Sequence, residues 1–160
     1  METLDYFQAE REAVDFISQN NKMVLATCSD NRVTARMISI INDGMRIFCQ
    51  TDRNFIKYRQ ITENPNVALS AGNIQIEGIA KITGHPFENR FFNEAYKLAH
   101  RSSYETYSHL KDEVVIEITP HLVTFWKYSD GQKPYRDFID IKKHAAFREY
   151  YETNSKEVTR

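Results

Sequence analysis

The chain has 160 residues, of which 41% are hydrophobic and 27% charged. That composition excludes a disordered or collagen-like chain and supplies enough apolar material for one ordinary core. Lys plus Arg (21) nearly cancel Asp plus Glu (22), so the basic excess of a protein that grips a nucleic-acid backbone is absent and no nucleic-acid partner is expected.

Only two cysteines, Cys28 and Cys49, are present. They have no metal or redox spacing and read as buried, reduced thiols, as in a cytoplasmic protein. The start, METLDYFQAEREAVDF, lacks the basic-then-apolar form of a secretory leader. No apolar run approaches membrane-spanning length, so no membrane partner is expected.

In chain order, Tyr6, Ala9, Ala13 and Phe16/Ile17 recur at helical spacing and predict a helix from about Thr3 to Asn20, capped by Thr3 or Asp5. Lys22–Cys28 is a short apolar run that ends in the turn cluster Ser29-Asp30-Asn31. Arg32–Ile41 then alternates, with Val33, Ala35 and Met37 on one face and Arg32, Thr34 and Arg36 on the other. Asn42-Asp43-Gly44 predicts a tight turn into a returning strand, Met45–Gln50.

Thr51–Thr62 turns helical, with Asp52 as the expected N-cap and Asn64-Pro65-Asn66 as the stop. Val67–Ala71 and Ile74–Thr83 predict a hairpin, with Gly78 as a bulge or bend in the longer strand. Gly84-His85-Pro86 opens a helix with Phe87, Phe91, Ala95 and Leu98 at helical spacing, and Arg101–Lys111 reads as irregular or weakly helical. Glu113–Ile118 and Leu122–Tyr128 predict two strands joined through Thr119-Pro120. Asp140–Thr153 predicts a closing helix, followed by a frayed end. About seven short strands and four helices, without alternating βα units, describe a mainly β protein: an antiparallel barrel with added helices in one domain over residues 1–160.

The most informative stretch is strand–turn–helix from Met45 to Ile61. A helix N-terminus presents unpaired N–H groups and partial positive charge, and so favours a phosphate. Thr51 would supply a hydroxyl there, Arg53 and Lys57 positive charge, and Arg36 would reach across from the neighbouring strand. On spacing alone, ordinary solvated charges are the better account of Arg36 and Lys57. The five histidines show no shared-face ligand spacing, and no metal site is expected. No Gly-x-Ser-x-Gly, Gly-x-Gly-x-x-Gly or P-loop motif occurs.

The ordered set Arg36–Ile40 (RMISI), Gln50-Thr51, Lys57 six residues on, Glu63-Asn64-Pro65, Gly78 and Thr119-Pro120…Trp126 resembles the pyridoxamine 5'-phosphate oxidase family over roughly residues 20 to 130. The resemblance implies a split β-barrel that works as a homodimer with FMN between subunits. It puts Arg36 and Lys57 on the FMN phosphate, Met37 and Ile38 against the cofactor, and Gln50 and Thr51 on the ring edge and ribityl chain. It further gives Asn73 a polar flavin contact and makes Trp126 part of a second wall.

Phe55 and Ile56 stand where the vitamin B6 enzyme has Ser and Arg, and its C-terminal substrate signature is not evident in Gly131–Phe138. The implied protein is therefore a divergent relative: an FMN-dependent oxidoreductase acting on a small molecule, with NAD(P)H as a candidate reductant and with no catalytic residue named. The alternative is a non-catalytic flavin carrier or sensor, or a haem-binding relative with His109, His121 or His144 as axial ligand.

Overall fold

The computed structural model describes residues 1–131 and 133–151. The chain opens with a short strand β1 (Glu2–Leu4) and helix α1 (Tyr6–Gln19), whose start is capped by the Asp5 carboxylate accepting from the Gln8 N–H. Tyr6, Ala9, Ala13 and Ile17 form the buried stripe that the 3.6-residue period predicts.

Strands β2 (Lys22–Ser29) and β3 (Arg32–Ser39) pair antiparallel across a two-residue turn. Asp30 and Asn31 both take positive φ there, the backbone that matches strand twist in tight hairpins. The long alternating segment breaks after Ser39, so that a separate short strand β4 (Ile41–Asp43) pairs with β5 (Arg46–Asp52). Helix α2 (Ile56–Glu63) and the hairpin β6 (Asn66–Ala71) and β7 (Ile74–Ile82) follow.

A 3-10 turn at Pro86–Glu88, opened by a capping box on His85, leads into α3 (Arg90–Ala99) and α4 (Arg101–Tyr107). The segment read as irregular is thus largely helical. Phe92 and Tyr96 are buried, whereas Phe87 and Phe91, which recur at helical spacing, remain substantially exposed.

The two strands expected at 113–118 and 122–128 are one strand, β8 (Glu113–Tyr128). One edge of β8 pairs with β7 along most of its length. The other edge pairs first with β5 (Val114–Thr51 through Ile118–Ile47) and then with β9 (Leu122–Asp140 onward). Pro120, which has no N–H to give, sits where the partner changes. The sheet runs β1-β10-β9-β8-β7-β6-β2-β3, with β5 and β4 branching from β8. Because β3 ends this path instead of closing it, the architecture is a split β-barrel.

The expected closing helix at 140–153 is not formed over its described part. β9 (Pro134–Asp140) and β10 (Ala145–Tyr150) make a hairpin there, and residues 152–153 of that expectation, with the frayed end, lie outside the described residues. The added strands bring the count to ten among the described residues, while the mainly β class with four α-helices stands.

The core lies inside the sheet and under α1, built from residues such as Leu25, Ile47, Ile76, Ile116, Ile118 and Phe125. A second cluster, Ile41, Phe48, Phe92, Tyr96 and Val115, fastens α3 to the β4–β5 side.

Gly78 marks the bulge that the sequence predicts: the β7–β8 register shifts between Glu77 and Gly78. A Cβ at Gly78 would lie 2.9 Å from the Thr119 carbonyl oxygen and 3.0 Å from Ile118 Cγ2. Gly78→Ala should therefore cost about 1–3 kcal/mol of stability, the range for overpacking a dense interior. Urea unfolding measures it, and a change below about 0.5 kcal/mol would show that the strand yields freely.

Candidate functional site

The hollow of interest, about 360 Å³ and within the size range of small-molecule sites, opens between β3, β5, α2 and the α3–α4 arm. Met37, Ile38 and Ser39 form one wall, and Gln50, Thr51 and Asp52 another. Phe55 and Lys57 border it from the start of α2; Tyr96, Ser103 and Tyr107 border it from the helical arm, with Leu110 and Glu113 beyond. Alternation explains the first wall. Ile38 points inward and is buried while Met37 points outward and is exposed, so the strand edge itself meets the hollow.

The helix begins later than the sequence predicts. β5 continues through Asp52, and α2 starts at Ile56 with Phe55 at the N-cap position and no side-chain cap. Asp52 instead folds the intervening turn, accepting from the Asn54 N–H at 2.7 Å. The reason is tertiary: Thr51 and Asp52 pair with Val114 and Glu113, and ladder hydrogen bonds outweigh the weak helical preference of those residues. Thr51 is therefore a buried strand residue of the hollow and not a helix-tip residue.

Lys57 keeps its predicted place at the hollow. Burial depresses its ammonium, the charge of Arg36 adds to that, and Glu113 and Asp52 oppose it. Its Nζ lies 4.8 Å from the centre of the Phe55 ring, and among the described residues it forms no ion pair. A partly desolvated cation without an anionic partner is costly. An anionic ligand group in the hollow would offset that cost, which is the sense in which this donor set fits a phosphate.

Arg36 behaves differently. Its Nη1 donates to the Leu25 carbonyl (3.1 Å) and to Thr27 Oγ1 (2.8 Å), and its Nη2 to Thr34 Oγ1. Thr27 and Thr34 each donate to Gln60 Oε1 at 2.6 Å, and Gln60 Nε2 donates to the Arg32 carbonyl at 2.8 Å. Arg36 thus belongs to a buried polar network tying α2 to β2 and β3, and it does not line the hollow. It still stands near enough to lower the titration of Lys57, so it backs the site from within the wall.

Gln50 accepts from Ser108 Oγ at 2.7 Å, which leaves its amide N–H groups for a ligand. Cys49, fully buried behind the site, has its thiol pushed up to about 12 by burial, as an inert core thiol would.

Asn73 and Trp126 are brought together, but away from the hollow. The Asn73 amide donates to the Trp126 carbonyl at 2.8 Å, and the Trp126 N–H to the Asn73 carbonyl at 2.9 Å. Trp126 is 40% exposed. The predicted residues thus fall into three places: Met37, Ile38, Gln50, Thr51 and Lys57 on the hollow, Arg36 inside its wall, and Asn73 with Trp126 elsewhere on the sheet.

Sequence reading missed the arm residues Tyr96, Ser103, Tyr107 and Leu110, and above all Glu113. Glu113 is only 5% exposed, its Oε2 has no hydrogen-bond partner, and burial followed by repulsion from Asp52 raises its carboxyl to about 7 against the pull of Lys57. The one signal in the sequence was a carboxylate opening an otherwise apolar strand, Glu113-Val114-Val115-Ile116. Among the described residues no cluster of His, Cys, Asp and Glu could hold a metal ion, and no helix is long and apolar enough to cross a membrane.

An open antiparallel barrel with a hollow between two of its strands and a short helix defines a split-barrel protein. The family model for pyridoxamine 5'-phosphate oxidase matches residues 9–127, and the chain belongs to that family as a divergent member. Solved structures with the same fold include General Stress Protein 26 from Bacillus anthracis (22% identity, TM-score 0.58, 82% of this chain and 98% of that one). A haem-binding protein from Mycobacterium smegmatis is also similar (17% identity, TM-score 0.68, 85% of this chain and 59% of that one). So is HutZ, the haem storage protein from Vibrio cholerae (15% identity, TM-score 0.55, 69% and 89%). At these identities the likeness establishes the fold alone. A sequence comparison with curated proteins gives no significant match.

Proposed function

We propose that this protein binds FMN in the hollow between β3, β5 and α2 and acts as an oxidoreductase on a small molecule, with NAD(P)H as a candidate reductant. The observation that carries the reading is Lys57, a partly buried ammonium without an ion-pair partner among the described residues, at the edge of a ligand-sized space. Lys57 would hold the phosphate by a charge-assisted bond. Thr51 and Gln50 would bond the hydroxyl-bearing chain and the ring edge, and the Met37–Ser39 strand edge would lie along the ring. When bound, flavin supplies hydride and electron transfer itself. The chain's own task is then to grip, to orient and to limit water.

A homodimer is part of the same proposal. The outer face of β3, β2 and β6 presents small apolar side chains, among them Val24, Ala26, Val33, Ala35 and Ala68, and Val33 and Met37 are more than 60% exposed. Such an apolar face calls for a cover, and a second copy would bring its own Asn73 and Trp126 to complete the site. Light scattering should give twice the chain mass; a monomer that retains FMN would overturn the shared site.

Haem is the second reading, favoured by the named haem-binding relatives of the fold. No histidine lines the hollow, however, and haem would need an axial ligand from outside it. The visible spectrum of freshly purified protein, with mass identification of the extracted cofactor, separates the two: a flavin envelope is expected, and a sharp Soret band overturns the FMN reading.

A further inference from the structure

The least explained group in the hollow is Glu113. It starts β8 on the rung opposite Asp52, is nine-tenths buried and more, has a buried oxygen without a partner among the described residues, and lines the same space as Lys57. An unpartnered buried carboxylate is expensive, whereas the neutral acid costs much less and has a proton to donate. We propose that Glu113 is a ligand-binding residue that works as the neutral acid, donating a hydrogen bond to an acceptor oxygen of the phosphate-bearing ligand, so that binding above neutral pH takes up one proton. This rests on the reading of the hollow as the FMN site, and deepens it.

The groups that face Glu113 give the direction. Asp52 on β5 repels its negative form, and Lys57 on α2 attracts it. Cys49 on β5 and Tyr96 on α3 also feel its charge, and both are themselves held neutral by burial. Among the described residues Lys57 is the one cation acting on the carboxylate. An anionic ligand beside Lys57 would remove that support and add a repulsion of its own. Both effects favour the protonated acid, whose carboxyl already titrates near 7. The proton comes from solvent and ends on Glu113; no other bond forms or breaks.

The test is the FMN dissociation constant from pH 5.5 to 8.5 for the wild type and Glu113→Gln, whose amide keeps a donor without a titration. The ratio of the two affinities cancels the titration of the FMN phosphate itself. It should be near one at pH 5.5 and should favour Glu113→Gln by roughly tenfold or more at pH 8.5. A ratio independent of pH overturns the proposal, because a structural role would act equally at both ends. If Glu113→Gln does not fold, carbon NMR of the wild-type carboxyl decides. FMN should move the Glu113 midpoint up by about one unit or more, and an unmoved midpoint overturns the proposal. Absence of FMN binding at every pH would overturn the FMN reading and this one together; binding with an indifferent Glu113 would overturn only this one.

Discussion

Lys57→Ala should weaken FMN binding by about 1.5–3 kcal/mol, roughly ten- to a hundredfold, the value of a hydrogen bond to a charged group. Folding stability should hardly change. The Lys57 ammonium has no ion-pair partner among the described residues, and burial already works against its charge, so its removal gives up only the contact with the Phe55 ring and relieves some desolvation. Fluorescence titration with FMN and urea unfolding of the same variant check the two halves. Unchanged affinity would remove the phosphate from this end of the hollow.

Arg36→Ala provides the contrast. It would empty the Leu25, Thr27 and Thr34 bonds and so should destabilise the fold as well as weaken FMN. The two cations that look equivalent in sequence are thus expected to fail differently. One is a ligand contact, and the other is a wall support whose charge reaches the ligand only through space.

Asp137→Ala should cost about 3–5 kcal/mol of folding stability, the range for leaving buried charges without their partner. The carboxylate is 4% exposed and lies between Arg148, at 2.6 and 2.9 Å, and Lys127 at 3.0 Å. Lys127 also reaches Glu12 on α1 at 2.5 Å, so one cluster fastens the first helix to β8, β9 and β10. Removing Asp137 would leave two half-buried cations facing each other in the sheet. Urea unfolding reads the loss; a cost below about 1 kcal/mol would mean that Glu12 takes over both cations.

The pH dependence of this cluster has a definite sign. Burial alone would raise the Asp137 carboxyl, but the bonds from Arg148 and Lys127 hold it below the ordinary carboxylate range. A folded value below the unfolded one gives stability that is present above the unfolded pKa and is lost as pH falls through the folded one. Glu113 has the opposite sign. Its raised value means a contribution that is full below its unfolded pKa, near 4.5, and lost as pH rises through about 7.

Local chemistry determined much of this protein. The stripe of Tyr6, Ala9, Ala13 and Ile17, the Asp30-Asn31 turn, the Asn64-Pro65 stop and the Gly78 bulge are where the sequence places them. The first three depend on neighbours within a few residues, through side-chain period, positive φ or a missing N–H, whereas Gly78 answers the close approach of Thr119 on the neighbouring strand. The Thr51–Lys57 spacing marked the family for the same reason, because it too is local.

Partners distant in the chain decided the rest. Tyr135 to Tyr150 became a hairpin because the outer edge of β8 offered β9 a full ladder of hydrogen bonds, which no helix on that segment could replace. The same ladder from β8 to β5 held Thr51 and Asp52 extended and delayed α2. Arg36 turned into the wall because Gln60, 24 residues on, gathers Thr27 and Thr34 beneath it. Glu113 looked like one more surface carboxylate until the arm from Arg90 to Leu110 folded over it. Burial, and with it the value of every charge in the hollow, is a property of the packed molecule and is written at no single position of the chain.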